Sequence, residues 1–164
     1  MKYPTLTICR QLLFTLIREE MSSVEPAPFY ENETPGIKKL ESTFALMQNR
    51  HYGGLFEKAA YLFCSIIDGH PFSNGNKRLA VATLTYFLIT NGMHISAPSM
   101  EVVHSELRRL FPKLQWVNVS AFRHPHEYFF YHLALIIADR SQKGHMTFQQ
   151  EQAAVRELLA FISS

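Results

Sequence analysis

The sequence predicts an all-α fold, built as a single domain over residues 1–164. Three observations carry that prediction. Apolar residues recur at three- and four-residue spacing in segment after segment, and helix start and stop signals bracket those segments. The run Leu79 to Thr90 carries no charge and is apolar enough to be a helix buried on nearly every side. With 47% hydrophobic and 18% charged residues, 164 residues suffice for one sizeable core.

Taken in order, Thr5 to Glu20 places Leu6, Cys9, Leu13, Leu16 and Ile17 on one helical face, with Thr5 as the cap after Pro4. Met21 to Pro35 loses that period and holds Pro26, Pro28 and Pro35, which predicts a long loop. Thr34-Pro35 starts a second helix that should run to Asn49 or Arg50, burying Ile37, Leu40, Phe44 and Met47. Gly53-Gly54 breaks it, and Leu55 to Ile67 forms the next, with Phe56, Ala59, Ala60, Phe63 and Ile66 inward. After the central helix, Asn91-Gly92 is a stop signal. Ser99 to Phe111 is an amphipathic helix on Val102, Val103, Leu107 and Leu110. Pro112 to Ser120 is ambiguous, with Trp116 read as a packing residue, and Glu127 to Arg140 reads as a core helix. Ser141 to Met146 is a polar break, and Thr147 with Gln150 forms a capping box opening a last helix through Phe161.

Chemistry concentrates in His70-Pro71-Phe72-Ser73-Asn74-Gly75-Asn76-Lys77-Arg78, at the N-terminal end of the central helix. Free backbone N–H groups and the positive end of the helix dipole favour an anion there, and a phosphate suits such a place. An imidazole accepts a proton from a hydroxyl near neutral pH, so His70 is the general-base candidate. Pro71 stiffens the chain, and Phe72 is the apolar anchor that fixes where His70 points. Gly75 is able to adopt positive φ and lets a ligand approach the backbone. Lys77 and Arg78 put two cations where the dipole disfavours them, a cost that a bound anion offsets. A plain interhelical turn is the alternative reading, since Asn-Gly is a common turn pair.

The loop resembles the signature of the Fic/Doc (Fido) family, His-x-Phe-x-Asp/Glu-Gly/Ala-Asn-Gly/Lys-Arg, at His70, Phe72, Gly75, Asn76, Lys77 and Arg78. The similarity extends over about 34–92, through Pro35-Gly36-Ile37, Gly53-Gly54, Glu57-Lys58-Ala59-Ala60 and Asn91-Gly92. It implies a Fic/Doc-type helical bundle with a flap loop or small hairpin before the second helix. Phe29 and Tyr30 are candidates to clamp a target's backbone in that flap or, equally, to tuck beneath it.

The resemblance also implies an enzyme that moves part of a nucleotide, from ATP with Mg²⁺, onto a hydroxyl of a protein target. Carried over, His70 is the base, Ser73, Asn74, Gly75 and Asn76 belong to the phosphate-cradling loop, and Lys77 and Arg78 hold phosphates. Asn74 stands where the family usually has the acidic metal ligand, and an amide oxygen is a poorer Mg²⁺ ligand than a carboxylate. Lys77, together with Val81 in place of a second arginine, resembles the death-on-curing (Doc-like) branch. That branch transfers a phosphoryl group instead of AMP and acts as the toxin of toxin–antitoxin pairs, which makes an antitoxin a candidate partner. The alternatives are AMP transfer by the same site, or a non-catalytic nucleotide- or partner-binding module. Glu151 and Glu19 loosely match the inhibitory glutamate of some Fic proteins and would then pair with Arg78.

Other chemistry is thinly supported. Net charge is +2, too slight to argue for nucleic acid. Cys9 and Cys64 lie far apart in apolar surroundings and read as buried free thiols, consistent with a reducing, cytoplasmic setting. No signal peptide or membrane span is expected; Tyr128 to Ala138 is too short to cross a bilayer. His94 and His104 lack metal-site spacing and read as surface or core-edge residues, while His124-Pro125-His126 with His132 lacks a third ligand or nearby carboxylate cluster and reads as structural over metal-binding.

Overall fold

A computed structural model describes residues 1–23, 25–96, 99–115 and 125–163. The expectations for Trp116 and His124 lie outside the described residues. Within them every regular element is helical, with one isolated bridge between Ile95 and Ser163. The expected all-α fold is present.

The first helix is α1 (Leu6–Ile8), a π-helical segment (Cys9–Leu13) and α2 (Phe14–Glu20) in direct succession. Thr5 caps it by accepting from the Ile8 amide. Cys9, Leu13, Phe14 and Ile17 face the core. The aperiodic stretch that follows forms no hairpin among the described residues; it tightens into a 3₁₀ turn (Tyr30–Asn32) just before α3 (Thr34–Leu46). Tyr30 is wholly buried, stacked on Phe14 and edge-on to Phe72, while Phe29 is 68% exposed. The two flap aromatics therefore divide: one tucks under and the other faces solvent.

Helix α3 stops at Leu46, short of the expected Asn49. Its end is capped from elsewhere, because the buried ammonium of Lys58 donates to the carbonyls of Met47 and Asn49, both at 2.9 Å. Orphan carbonyls at a helix C-terminus attract a cation, so α3 is closed by a side chain of α4 (Leu55–Gly69).

The central helix, α5 (Asn76–Thr90), packs on α4, α7 (Pro125–Ala138) and α2. It buries Leu79, Ala80, Val81, Ala82, Leu84, Phe87 and Leu88, and only Ile89 is substantially exposed among its large apolar residues. Thr83, fully buried, returns its hydroxyl to the Leu79 carbonyl at 2.8 Å. Asn91 stops the helix by donating to the Phe87 carbonyl, and Gly92 follows at φ 81°. The remaining elements are α6 (Met100–Leu110), α8 (Arg140–Lys143) and α9 (Phe148–Ile162), whose reciprocal Thr147–Gln150 capping box is formed as expected. Helix α9 packs on α4, and its Glu151 is ion-paired with Lys143.

Candidate active site

The nine-residue stretch from His70 spans the α4–α5 connection and the first turn of α5. His70 ends α4 in the left-handed region, φ 44° and ψ 57°, the single non-glycine residue with positive φ among those described. That conformation costs an L-residue about 1–2 kcal/mol. It turns the chain sharply at the helix end, so the imidazole is exposed while the chain dives at once into the core through Phe72, 1% exposed. Exposure and anchoring are thus divided between residues two positions apart.

Asn76 closes the loop from inside. Its Oδ1 accepts from the Phe72 amide at 3.0 Å, and its Nδ2 donates to the Phe72 carbonyl at 2.8 Å. One buried amide thereby satisfies both backbone groups of the anchor residue. Glu33, at the start of α3, accepts from the Ser73 amide (2.8 Å) and hydroxyl (2.5 Å). Tyr30 donates to the Gly75 carbonyl at 2.8 Å, and burial pushes its phenol well up, so the donor stays protonated. Gly75 lies at φ 74° with the Tyr30 hydroxyl where a Cβ would stand, which leaves glycine as the residue that fits.

The first helical hydrogen bond of α5 runs from the Leu79 amide to the Gly75 carbonyl. The amides of Asn76, Lys77 and Arg78 precede it and point out of the helix start without intrahelical partners. In front of them lies a cavity of about 510 Å³ whose wall includes His70, Asn74, Lys77, Asp68, Glu25 and Tyr131. That size suits a nucleotide-scale ligand.

The two cations behave differently. Arg78, 8% exposed, donates to the carbonyls of Glu25 (2.7 Å), Pro26 (3.2 Å) and Met21 (3.4 Å), to the Ser22 hydroxyl (3.3 Å) and to Asn74 Oδ1 (3.1 Å). Its fork straps the Met21–Pro26 segment across the helix start, although the side chain still lines the cavity. Lys77 is half-buried, lines the same cavity, and has no hydrogen bond or ion pair among the described residues. It is the cation available to an incoming anion.

Asn74 fits a metal poorly, since its side-chain oxygen already accepts from Arg78. Among the described residues no group of three His, Cys, Asp or Glu side chains is placed to hold a metal ion.

Neither glutamate considered as an inhibitory partner reaches Arg78. Glu19 is exposed on α2, and Glu151, buried on α9, pairs with Lys143 and with Asp68 near the end of α4. Arg78 is out of their reach because backbone carbonyls already surround it. Burial first, and then the hydrogen bond to Asp68, push the Glu151 carboxyl up to about 7 against the pull of Lys143. Lys143 also approaches Asp68 at 3.4 Å, and Cys64, buried beside them, is held well above the usual thiol range by desolvation. Cys9, likewise buried and free, is pushed up to about 12. Sequence reasoning missed Glu33, Asp68 and Lys143, whose roles come from contacts between distant segments. The signal for Asp68 was its place two residues before His70.

Residues 12–88, a little under half of the chain, match a family model described as Fic/DOC family. Over these residues the chain is similar to the Fic/DOC family. No curated protein and no solved structure matches the chain. The Fic/DOC match spans the latter part of the first helix, the strapped segment, α3, α4, the histidine loop and nearly all of α5, so it takes in most of the elements that build the cavity. No helix among the described residues is long and apolar enough to cross a membrane.

Proposed function

We propose that this Fic/DOC protein is an ATP-dependent transferase that modifies a side-chain hydroxyl on a target protein, by phosphoryl transfer in the Doc-like manner. The observation that carries the reading is a single cavity shared by the exposed imidazole of His70, the unpaired amides at the start of α5 and the uncommitted ammonium of Lys77.

His70 takes the proton of the acceptor hydroxyl. The hydroxyl oxygen attacks the γ-phosphorus, the bond from that phosphorus to the bridging oxygen of ADP breaks, and the proton stays on the imidazole until product leaves. The amides of Asn76 to Arg78, with Lys77, bear the charge that grows on the phosphoryl oxygens. Phosphoryl transfer is preferred over AMP transfer because Lys77 occupies the position of a small residue, and because Val81, buried at 5% exposure, stands where a second arginine would serve the other nucleotide pose. A toxin of a toxin–antitoxin pair fits this chemistry, with an antitoxin as partner.

The test incubates the protein with α- or γ-labelled ATP and a cell lysate. Transfer of γ-label to a protein band, lost in His70→Ala, is expected. Transfer of α-label instead assigns AMP transfer. A second reading, a nucleotide- or partner-binding module, is favoured by the engagement of Asn74 and Arg78 with each other. ATP binding without transfer of either label would establish it.

A further inference from the structure

Beside His70 a second groove of about 380 Å³ runs between α3 and α4. Lys38, Lys39 and Ser42 line one wall, Ser65 and Gly69 the other, and Pro71 closes the end. Gly69 and Pro71 are the two chain neighbours of His70, so whatever lies in this groove ends beside the proposed base. Both lysines are exposed, and among the described residues no carboxylate lines the groove. Glu41, on the same helix, is exposed outside it. Over Gly69 the space is open: a Cβ there would meet nothing within 4 Å, so a second backbone is able to pass close above α4.

We infer that this groove seats an acidic segment of the acceptor polypeptide and hands its hydroxyl to His70. The inference rests on the transferase reading for its placement. Two adjacent ammonium groups, uncompensated in the groove, select a carboxylate-bearing chain by charge, while their methylene stems and Pro71 supply an apolar floor for an extended backbone. A polypeptide is preferred over other polyanions because the groove is short and ends at the base that must meet a side-chain hydroxyl.

The test uses a fluorescein-labelled peptide in which glutamates flank a serine on both sides, with a lysine-flanked peptide as control, read by anisotropy without ATP. The parent is expected to bind the acidic peptide and to ignore the basic one, more weakly as salt rises. The double variant Lys38→Glu, Lys39→Glu should lose binding by roughly tenfold or more. Gly69→Trp, which alters no charge and meets no neighbour at its Cβ, should block the groove to a similar extent, with circular dichroism confirming that both variants are folded. His70→Ala should bind the peptide like the parent, which keeps failure of the groove distinct from failure of the chemistry. Equal binding of both peptides, or acidic-peptide binding that survives both groove changes, or none by the parent, would overturn the assignment.

Discussion

Tyr30 holds Gly75 from two sides at once: its hydroxyl donates to the glycine carbonyl at 2.8 Å and also fills the space where any Cβ on residue 75 would project. The turn before α3 and the loop before α5 are therefore one packed unit, 45 residues apart in the chain. Tyr30→Phe should cost about 1 kcal/mol, the net worth of one hydrogen bond. Gly75→Ala should cost more, because it adds collision to an unfavourable φ, and pairing it with Tyr30→Phe should restore only part of the loss. Denaturant melts of the single and double variants decide this.

His70 carries backbone strain as well as chemistry. Both His70→Ala and His70→Gly should abolish transfer, but the glycine variant should be the more stable of the two by about 1 kcal/mol, since the left-handed conformation costs glycine nothing. Equal melting midpoints for the two variants would show that the strain is relieved elsewhere.

Asn76 answers for two buried backbone groups. Asn76→Ala leaves the Phe72 N–H and C=O without partners and should destabilise the protein by about 2–4 kcal/mol. Asn76→Asp retains an acceptor for the amide but opposes a carboxylate to the Phe72 carbonyl, so it should be little better above the ordinary carboxylate range and recover in acid. A stability profile against pH checks the sign.

Arg78 is predicted to be a strap before it is a phosphate ligand. Arg78→Lys keeps the charge but loses the fork, and should free the Met21–Pro26 segment at a cost of about 2–3 kcal/mol. Hydrogen exchange should accelerate in Met21–Tyr30 and at the start of α5 while α9 stays protected.

Glu151 gives a pH dependence of defined sign. Its folded value, near 7, lies above the unfolded one, so the folded state holds the proton more tightly. Its contribution is fully present below about 4.5 and is lost as pH rises toward about 7. Glu151→Gln should flatten that slope and, on the order of 2 kcal/mol, favour the variant's stability at pH 8 relative to its standing at pH 5. A parent that gains stability between pH 5 and 7 through this residue would reverse the assignment.

The form of the histidine loop was legible in the sequence because its parts are local: the exposed imidazole, the buried ring, the positive-φ glycine and the cations all lie between His70 and Arg78. Helices were legible where caps and period agreed, as at Thr147–Gln150 and Asn91–Gly92. What stayed hidden depended on chain-distant partners. Arg78 read as a phosphate clamp because nothing in its neighbourhood foretells carbonyls more than 50 residues earlier in an aperiodic stretch. Glu151 read as a candidate partner for Arg78 because its spacing on a helix says nothing of Lys143, across the turn before α9, or of Asp68, far earlier in the chain. The early end of α3 was unreadable for the same reason, since its cap is supplied by Lys58.

That lysine has a mechanical side. By joining the carbonyls that follow α3 to the opening turn of α4, it ties together the two helices that line the lysine-rich groove. A chain seated in the proposed groove would therefore meet two helices already fastened to each other.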